Sequence, residues 1–361
     1  MAGRKMALLV AAMSLSGLAA AGASPRFGSE KPVTIADFQP HLMDNEGYTE
    51  EWSQGVWTED GKWTIGVDFF ISNLGIGDHK GGFRARYKDA DGKVTKCSAK
   101  YDDDEWSSSK KGFALKFGKA QVQGDMQGLK VTVRCKKLTM DLNFKNEAPP
   151  VKPGGGKLHF GEDDGVYSMV FTTPRAKVTG TLVAGGKTLQ IKGVGYSTHS
   201  YSSMYPHKQS HRWFRFKTIN KDISIITAEA ESVSDYFGAT NGWVLVMDSS
   251  GRIAATARTN FIFDGFIQDT KSDEGYKIPR RVRLVAVDGK TQVSGLLLMK
   301  KIKEVRDPTA DLDAIQRTIV RRFTKPRDYY IACSYKIHIK TEAGVRTVEG
   351  EGVYRFIYVN P

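Results

Sequence analysis

Gly82-Phe83-Arg84-Ala85-Arg86-Tyr87, followed by Asp89-Ala90-Asp91-Gly92-Lys93-Val94, is echoed later in the chain by Gly242-Trp243-Val244-Leu245-Val246-Met247 and then Asp248-Ser249-Ser250-Gly251-Arg252-Ile253. Each stretch is a strand-like run, a turn of Gly and short polar residues, and a second run. That order is the signature of an antiparallel hairpin. Gly92 and Gly251 are 159 residues apart. The neighbouring hairpins keep nearly the same offset, with Trp52 matched by Trp213 at 161 and Gly112-Phe113 by Gly275-Tyr276 at 163. A near-constant offset across three hairpins predicts an internal duplication.

The rest of the chain agrees with that reading. Trp63, Ile65, Val67, Phe69 and Leu129, Val131, Val133 alternate with polar neighbours, and a period of two means strands buried on one face. A length of 361 residues exceeds what one hydrophobic core usually supports. The expected fold is all-β, two antiparallel barrels in tandem. Ala148-Pro149-Pro150-Val151-Lys152-Pro153-Gly154-Gly155-Gly156-Lys157 reads as the linker, because its prolines and glycines suit neither a sheet interior nor a helix. The first barrel is then expected over 24–160 and the second over 161–361. One short helix is expected in the second half, with Pro308 in its first turn, Asp311 and Asp313 early, Leu312, Ile315, Ile319 and Phe323 on one stripe, and Arg321 and Arg322 at its end.

Residues 1–23 carry Arg4 and Lys5, an uncharged Ala/Leu/Met/Ser/Gly stretch, and Ala21-Gly22-Ala23, the pattern of a secretory signal peptide. Export to a periplasm or the cell exterior is the expectation. An oxidising compartment permits a disulfide, and Cys97 and Cys135 are the candidate pair, both in strand-like runs of the first half. Cys333 is read as a core residue. The net charge of +13 suits acidic partners, an anionic membrane surface among them. Nucleic acid is not expected, since the Lys and Arg are spread along strands instead of gathered in an arm or recognition helix.

The densest chemistry runs from Gly193 to Trp213 and holds three of the seven histidines. As a zinc site, His199, His207 and His211 straddle a loop with Pro206 and have no acidic or cysteine ligand beside them, so no metal is expected. As nucleophilic catalysis, the run lacks a Gly-x-Ser-x-Gly elbow and a carboxylate to orient a base. Tyr196, His199, Tyr201, Met204, His207, His211 and Trp213 instead offer apolar bodies with polar tips, the lining wanted by an enclosed amphiphile. They are the candidate ligand-binding residues, expected in the second barrel. No cofactor is expected.

Tyr167-Ser168, Pro174-Arg175-x-x-Val178-x-Gly180-x-Leu182, Gly193-x-Gly195, Met204-x-Pro206-His207 and Arg212-Trp213 resemble the survival-factor family first named in fungi. That family is grouped with tandem lipocalin-like (calycin) proteins, among them carotenoid hydratases and fungal terpenoid or polyketide cyclases. The resemblance spans roughly Trp52 to Phe356 and implies two lipocalin-like barrels and lipid handling linked to oxidative-stress tolerance. In the hydratase-like branch an Asp-His pair follows a glycine; the matching positions are Gly195, Thr198 and His199, and the aspartate is replaced. A Thr hydroxyl cannot protonate an alkene, which favours a carrier of a hydrophobic small molecule or lipid. The alternative is a hydratase, isomerase or cyclase of a polyene, with His199 and Tyr196 or Tyr201 moving the proton.

Overall fold

The structure is a computed structural model, and it describes residues 24–360 apart from 75–76, 110, 162–164, 271–273 and 311–313. The leader expected at 1–23 therefore lies outside the described residues, as do Asp311, Leu312 and Asp313.

Strands β1 (Thr49–Thr58), β2 (Thr64–Ser72), β3 (Lys80–Lys88) and β4 (Val94–Tyr101) form one antiparallel meander. A second follows with β5 (Trp106–Ser108), β6 (Phe113–Phe117), β7 (Ala120–Asp125), β8 (Gly128–Arg134) and β9 (Leu138–Asn146). After the short β10 (Lys157–Phe160), the long hairpin of β11 (Gly165–Ala184) and β12 (Lys187–Ser202) runs between the two meanders, β11 on β9 and β12 on β1. The sheet order is β4-β3-β2-β1-β12-β11-β9-β8-β7-β6-β5, a nearly closed barrel with β4 and β5 at its edges.

A four-residue helix, α1 (Pro206–Gln209), leads into the second barrel. Its first meander is β13 (Ser210–Ile219), β14 (Ser224–Ser232), β15 (Thr240–Asp248) and β16 (Gly251–Thr256). β17 (Thr259–Asp264), the small pair β18 (Ile267–Gln268) and β19 (Lys277–Ile278), β20 (Arg281–Asp288) and β21 (Thr291–Arg306) follow. Helix α2 (Ala314–Val320) precedes the closing hairpin β22 (Arg327–Thr341) and β23 (Gly344–Tyr358). The order β16-β15-β14-β13-β23-β22-β21-β20-β17 repeats the plan of the first sheet, each barrel closing by laying its last strand on its first. The protein is all-β, two lipocalin-like antiparallel barrels in tandem.

The strand pairing moves the division expected from sequence. Residues 165–202 belong to the first sheet, and the chain passes to the second between Ser202 and Ser210. The Pro/Gly segment at 148–157 is a connection inside the first barrel, where Val151 bridges Phe171. It breaks a strand as its prolines demand, but a break in pairing is not a break between domains. The repeat register also shifts by one residue. Trp52 points into the first barrel, while Trp213 is on the outside of the second; the inward residue at its place in β13 is Phe214.

Each interior holds a hydrophobic core. Trp52, Phe69, Phe117, Val131, Met140 and Val178 pack the first, and Phe214, Phe216, Tyr329, Tyr354 and Phe356 the second, all among the most buried side chains. A third cluster lies between the barrels, where Phe171 meets Trp243 edge to face at 5.0 Å beside Val151, Met169, Ile226 and Leu245. Cys97 on β4 and Cys135 after β8 are joined as a disulfide, with Cα atoms 6.5 Å apart, inside the bridging range. It ties the free edge of β4 to the other meander. Cys333 is a buried thiol that desolvation pushes up to about 11, which leaves it protonated and unreactive at neutral pH.

Candidate functional site

Alternation decides where the Gly193 to Trp213 run goes. On β12 the odd residues face the first barrel's interior and the even ones face outward, so neighbours in sequence serve different places. His199 and Tyr201 turn inward. Tyr196 turns outward, towards the second barrel.

The inward group is built from three parts of the chain. Glu50 on β1 is fully buried, and one of its oxygens, Oε1, accepts a hydrogen bond from His199 Nε2 at 2.6 Å. The backbone N–H of His41 donates to both carboxylate oxygens, at 2.9 and 3.0 Å, and the Tyr48 hydroxyl donates to Oε2. Burial opposes ionisation of Glu50, but the bonds from His199 and His41 outweigh it and hold the carboxyl down at about 2. His199 lies flat on Trp52 at 4.4 Å, and its Nδ1 donates to the Asp37 carbonyl at 2.7 Å. The His41 ring stacks on Tyr201 at 4.5 Å. This network fastens the segment from Asp37 to Tyr48 across the end of the barrel.

The outward group lies where the first barrel faces the second, beside the apolar cluster between them, a face we term the cleft. Trp57 and Tyr196 stack at 5.8 Å, and Gly55 leaves them room: a Cβ there would lie 2.8 Å from the Tyr196 ring. Lys217 of β13 reaches over from the second barrel, donating to the Tyr196 hydroxyl at 2.9 Å and lying 5.0 Å from both ring centres. Farther along β13, Arg215 covers Trp213 at 4.9 Å. Facing it on the first barrel, Ser53 Oγ contacts Asp68 Oδ1 at 2.7 Å and also Glu51, and Arg84 lies over Phe70 at 4.6 Å. Glu51 itself is exposed to solvent. Desolvation and then the neighbouring Asp68 raise its carboxyl above the usual range, while the Ser53 hydrogen bond, Arg215 and Arg84 oppose them.

Three other residues expected at the site sit elsewhere. Met204 lies in the bend after β12 against Gly165, and His207 in α1 stacks between Tyr205 and Phe323. His211 meets Tyr358 edge to face at 5.6 Å. Desolvation lowers the pKa of both His207 and His211. Trp213 is in the cleft. The expectation that this run lines the second barrel is corrected on two counts: its first half is a strand of the first barrel, and the second interior holds a hydrophobic core rich in aromatic side chains.

Sequence reasoning missed Glu50, His41 and Glu51, which lie far from the run, and it missed the role of Arg212. Arg212 turns into the second barrel, pairing with Glu229 at 3.2 Å and Glu231 at 2.6 Å over the rings of Phe263 and Phe356. Glu50 precedes Trp52 by two positions as Arg212 precedes Phe214. Each barrel thus turns a charged residue inward at the same point of its first strand.

Two packed barrels with a shared cleft define a tandem lipocalin-like protein. The chain belongs to the Svf1 family, whose model matches residues 59–353. No curated protein sequence matches significantly. Among solved structures, an AttH-like protein from Nitrosomonas europaea is 14% identical with a TM-score of 0.56, covering 90% of this chain and 97% of its own. CghA is 10% identical with a TM-score of 0.60, covering 93% of this chain and 98% of its own. CghA has also been solved with Sch210972, at a TM-score of 0.59. At these identities the likeness is one of fold.

Proposed function

We propose that this protein is an exported carrier of an amphiphile, held in the cleft between the barrels with its apolar body on Trp57, Tyr196 and Trp213 and an acidic head near Arg84 and Arg215. The observation that carries the reading is the chemistry of the face between the barrels, which joins aromatic rings to guanidinium groups stacked on rings, while the described barrel interiors hold apolar cores. CghA, similar in fold, has been solved with a small molecule. The leader-like residues 1–23 and the Cys97–Cys135 disulfide support export. Organic extraction of the purified protein and mass spectrometry should release an amphiphile, and a fluorescent fatty acid should bind about tenfold more weakly to Trp57→Ala or Arg215→Glu. A protein that is always empty and binds neither acidic nor neutral amphiphiles would end this proposal.

A second reading, turnover of a polyene by a hydratase, isomerase or cyclase, is favoured by Ser53. A hydroxyl has one proton to donate, yet Ser53 Oγ contacts both Glu51 and Asp68. Glu51, whose carboxyl is raised by desolvation and Asp68 although Ser53 lowers it, is the candidate acid. Ser53 pairs with Thr198, so the acid stands one strand away from the missing aspartate. Glu51→Gln should then abolish turnover of a polyene while leaving its binding intact; unchanged turnover would exclude Glu51 as the acid.

A further inference from the structure

The inward cluster at the end of the first barrel has features that a structural ion pair does not require. His41 in the loop before β1, Glu50 on β1 and His199 on β12 each offer one ligand atom, and these atoms lie within 4.8 Å of one another. His41 Nδ1 is buried and has no hydrogen-bond partner among the described residues; Glu50 Oε1 is 3.4 Å away. A buried nitrogen without a partner is destabilising unless something fills the gap. We propose that His41, Glu50 and His199 hold a divalent transition-metal ion of the zinc class, with a fourth position left to water.

The ligand chemistry fits. Zinc takes imidazole nitrogen and carboxylate oxygen at roughly 2.0–2.2 Å, which puts tetrahedral donors roughly 3.3 Å apart. The His41–Glu50 separation of 3.4 Å meets that, and the 2.6 Å between Glu50 and His199 needs a small outward shift of one ring. Such a shift replaces the Nε2 proton, which now bonds Glu50, by the ion. The surroundings are those of a metal site as well. A ligating histidine usually donates its other N–H to a carbonyl or carboxylate, and His199 Nδ1 does so to Asp37. Tyr48 and the His41 backbone N–H hold Glu50, and Trp52 and Tyr201 stack on the two rings, fixing their planes. Glu50 and His199 are closed to water, whereas the His41 side chain is 31% exposed, which gives an ion its way in.

This inference is independent of the cleft and its cargo. Protein stripped with a chelator is titrated with zinc by calorimetry and with cobalt(II), whose visible spectrum reports coordination. The wild type should bind one ion and give the intense bands of a tetrahedral cobalt site. His41→Ala keeps the Glu50–His199 pair and the backbone N–H that holds Glu50, so its circular dichroism should match wild type, while zinc affinity falls at least about tenfold and the cobalt bands vanish. His207→Ala, which alters a histidine outside the cluster, should change neither. Absence of binding by the wild type overturns the proposal, as does an octahedral cobalt spectrum or a His41→Ala protein that binds as the wild type does. If His41→Ala does not fold, His41→Gln gives the same comparison of zinc affinity.

Discussion

Arg175 of β11 donates from Nη1 to Ser224 Oγ at 2.7 Å, and so stitches the first barrel to the turn that opens β14 of the second. The same guanidinium donates to the Asn220 and Lys221 carbonyls at 3.1 and 2.7 Å and pairs with Glu147 at 2.8 Å, at an exposure of only 1%. The Pro174-Arg175 motif is therefore a clamp between barrels. Arg175→Leu removes one fork and leaves three acceptors and a carboxylate without their donor. We expect a loss of about 3 kcal/mol, and denaturant unfolding that separates into two transitions as the barrels uncouple. Arg175→Lys should recover only part, because an ammonium cannot span the same acceptors.

The neighbours Trp213 and Phe214 should behave as opposites. Phe214 is a core residue, so Phe214→Ala should cost about 3–5 kcal/mol in chemical denaturation. Trp213 faces the cleft under Arg215, so Trp213→Ala should cost within about 1 kcal/mol and show instead as weaker amphiphile binding. Equal destabilisation by the two changes would contradict the register described for β13.

How much of this was legible in the sequence follows from what a period of two encodes. It reports which face a residue takes, and hairpin turns report which strands follow one another, so the antiparallel class, the tandem barrels and the repeat were readable from Gly82–Val94 and its echo. It does not report which distant strand a run pairs with. Nothing in β12 says that His199 will lie opposite Trp52, and so the boundary was placed at the prolines. The site fared likewise. The Gly193 to Trp213 run was visible because its aromatic and histidine residues are dense. Yet pleating sends His199 and Tyr196 to opposite faces, and the partners of His199 are an isolated Glu50 and His41 about 150 residues earlier in ordinary surroundings.

Breaking the Cys97–Cys135 bridge should loosen the first barrel in particular. The bond closes a loop of 38 residues and secures β4, whose outer edge is unpaired in the strand order. Loop closure of that length constrains the unfolded chain by about 4 kcal/mol. The double substitution Cys97→Ser, Cys135→Ser should lose that much or less in denaturant unfolding. Native-state hydrogen exchange should rise first in β4 and β5, with the second barrel unaffected. A uniform rise over both barrels would mean that the bridge stabilises the whole chain instead of an edge.

Glu229 gives the second barrel a dependence on pH that can be assigned to one group. Its carboxyl is buried beside Arg212, and desolvation, only partly offset by Arg212, raises it to about 7. The unfolded chain has the ordinary value near 4.5, so between pH 4.5 and 7 the folded state holds a proton that the unfolded state has released. Stability from this group is complete below 4.5 and falls as pH rises through 7, by an amount of about 3 kcal/mol. Glu229→Gln mimics the protonated form and leaves Arg212 its bond to Glu231. The variant should match wild type near pH 4.5, and by pH 8 it should be the more stable of the two in urea titrations. Parallel curves for the two proteins across that range would show that Glu229 is ionised in the folded state and that its pairing with Arg212 prevails over burial.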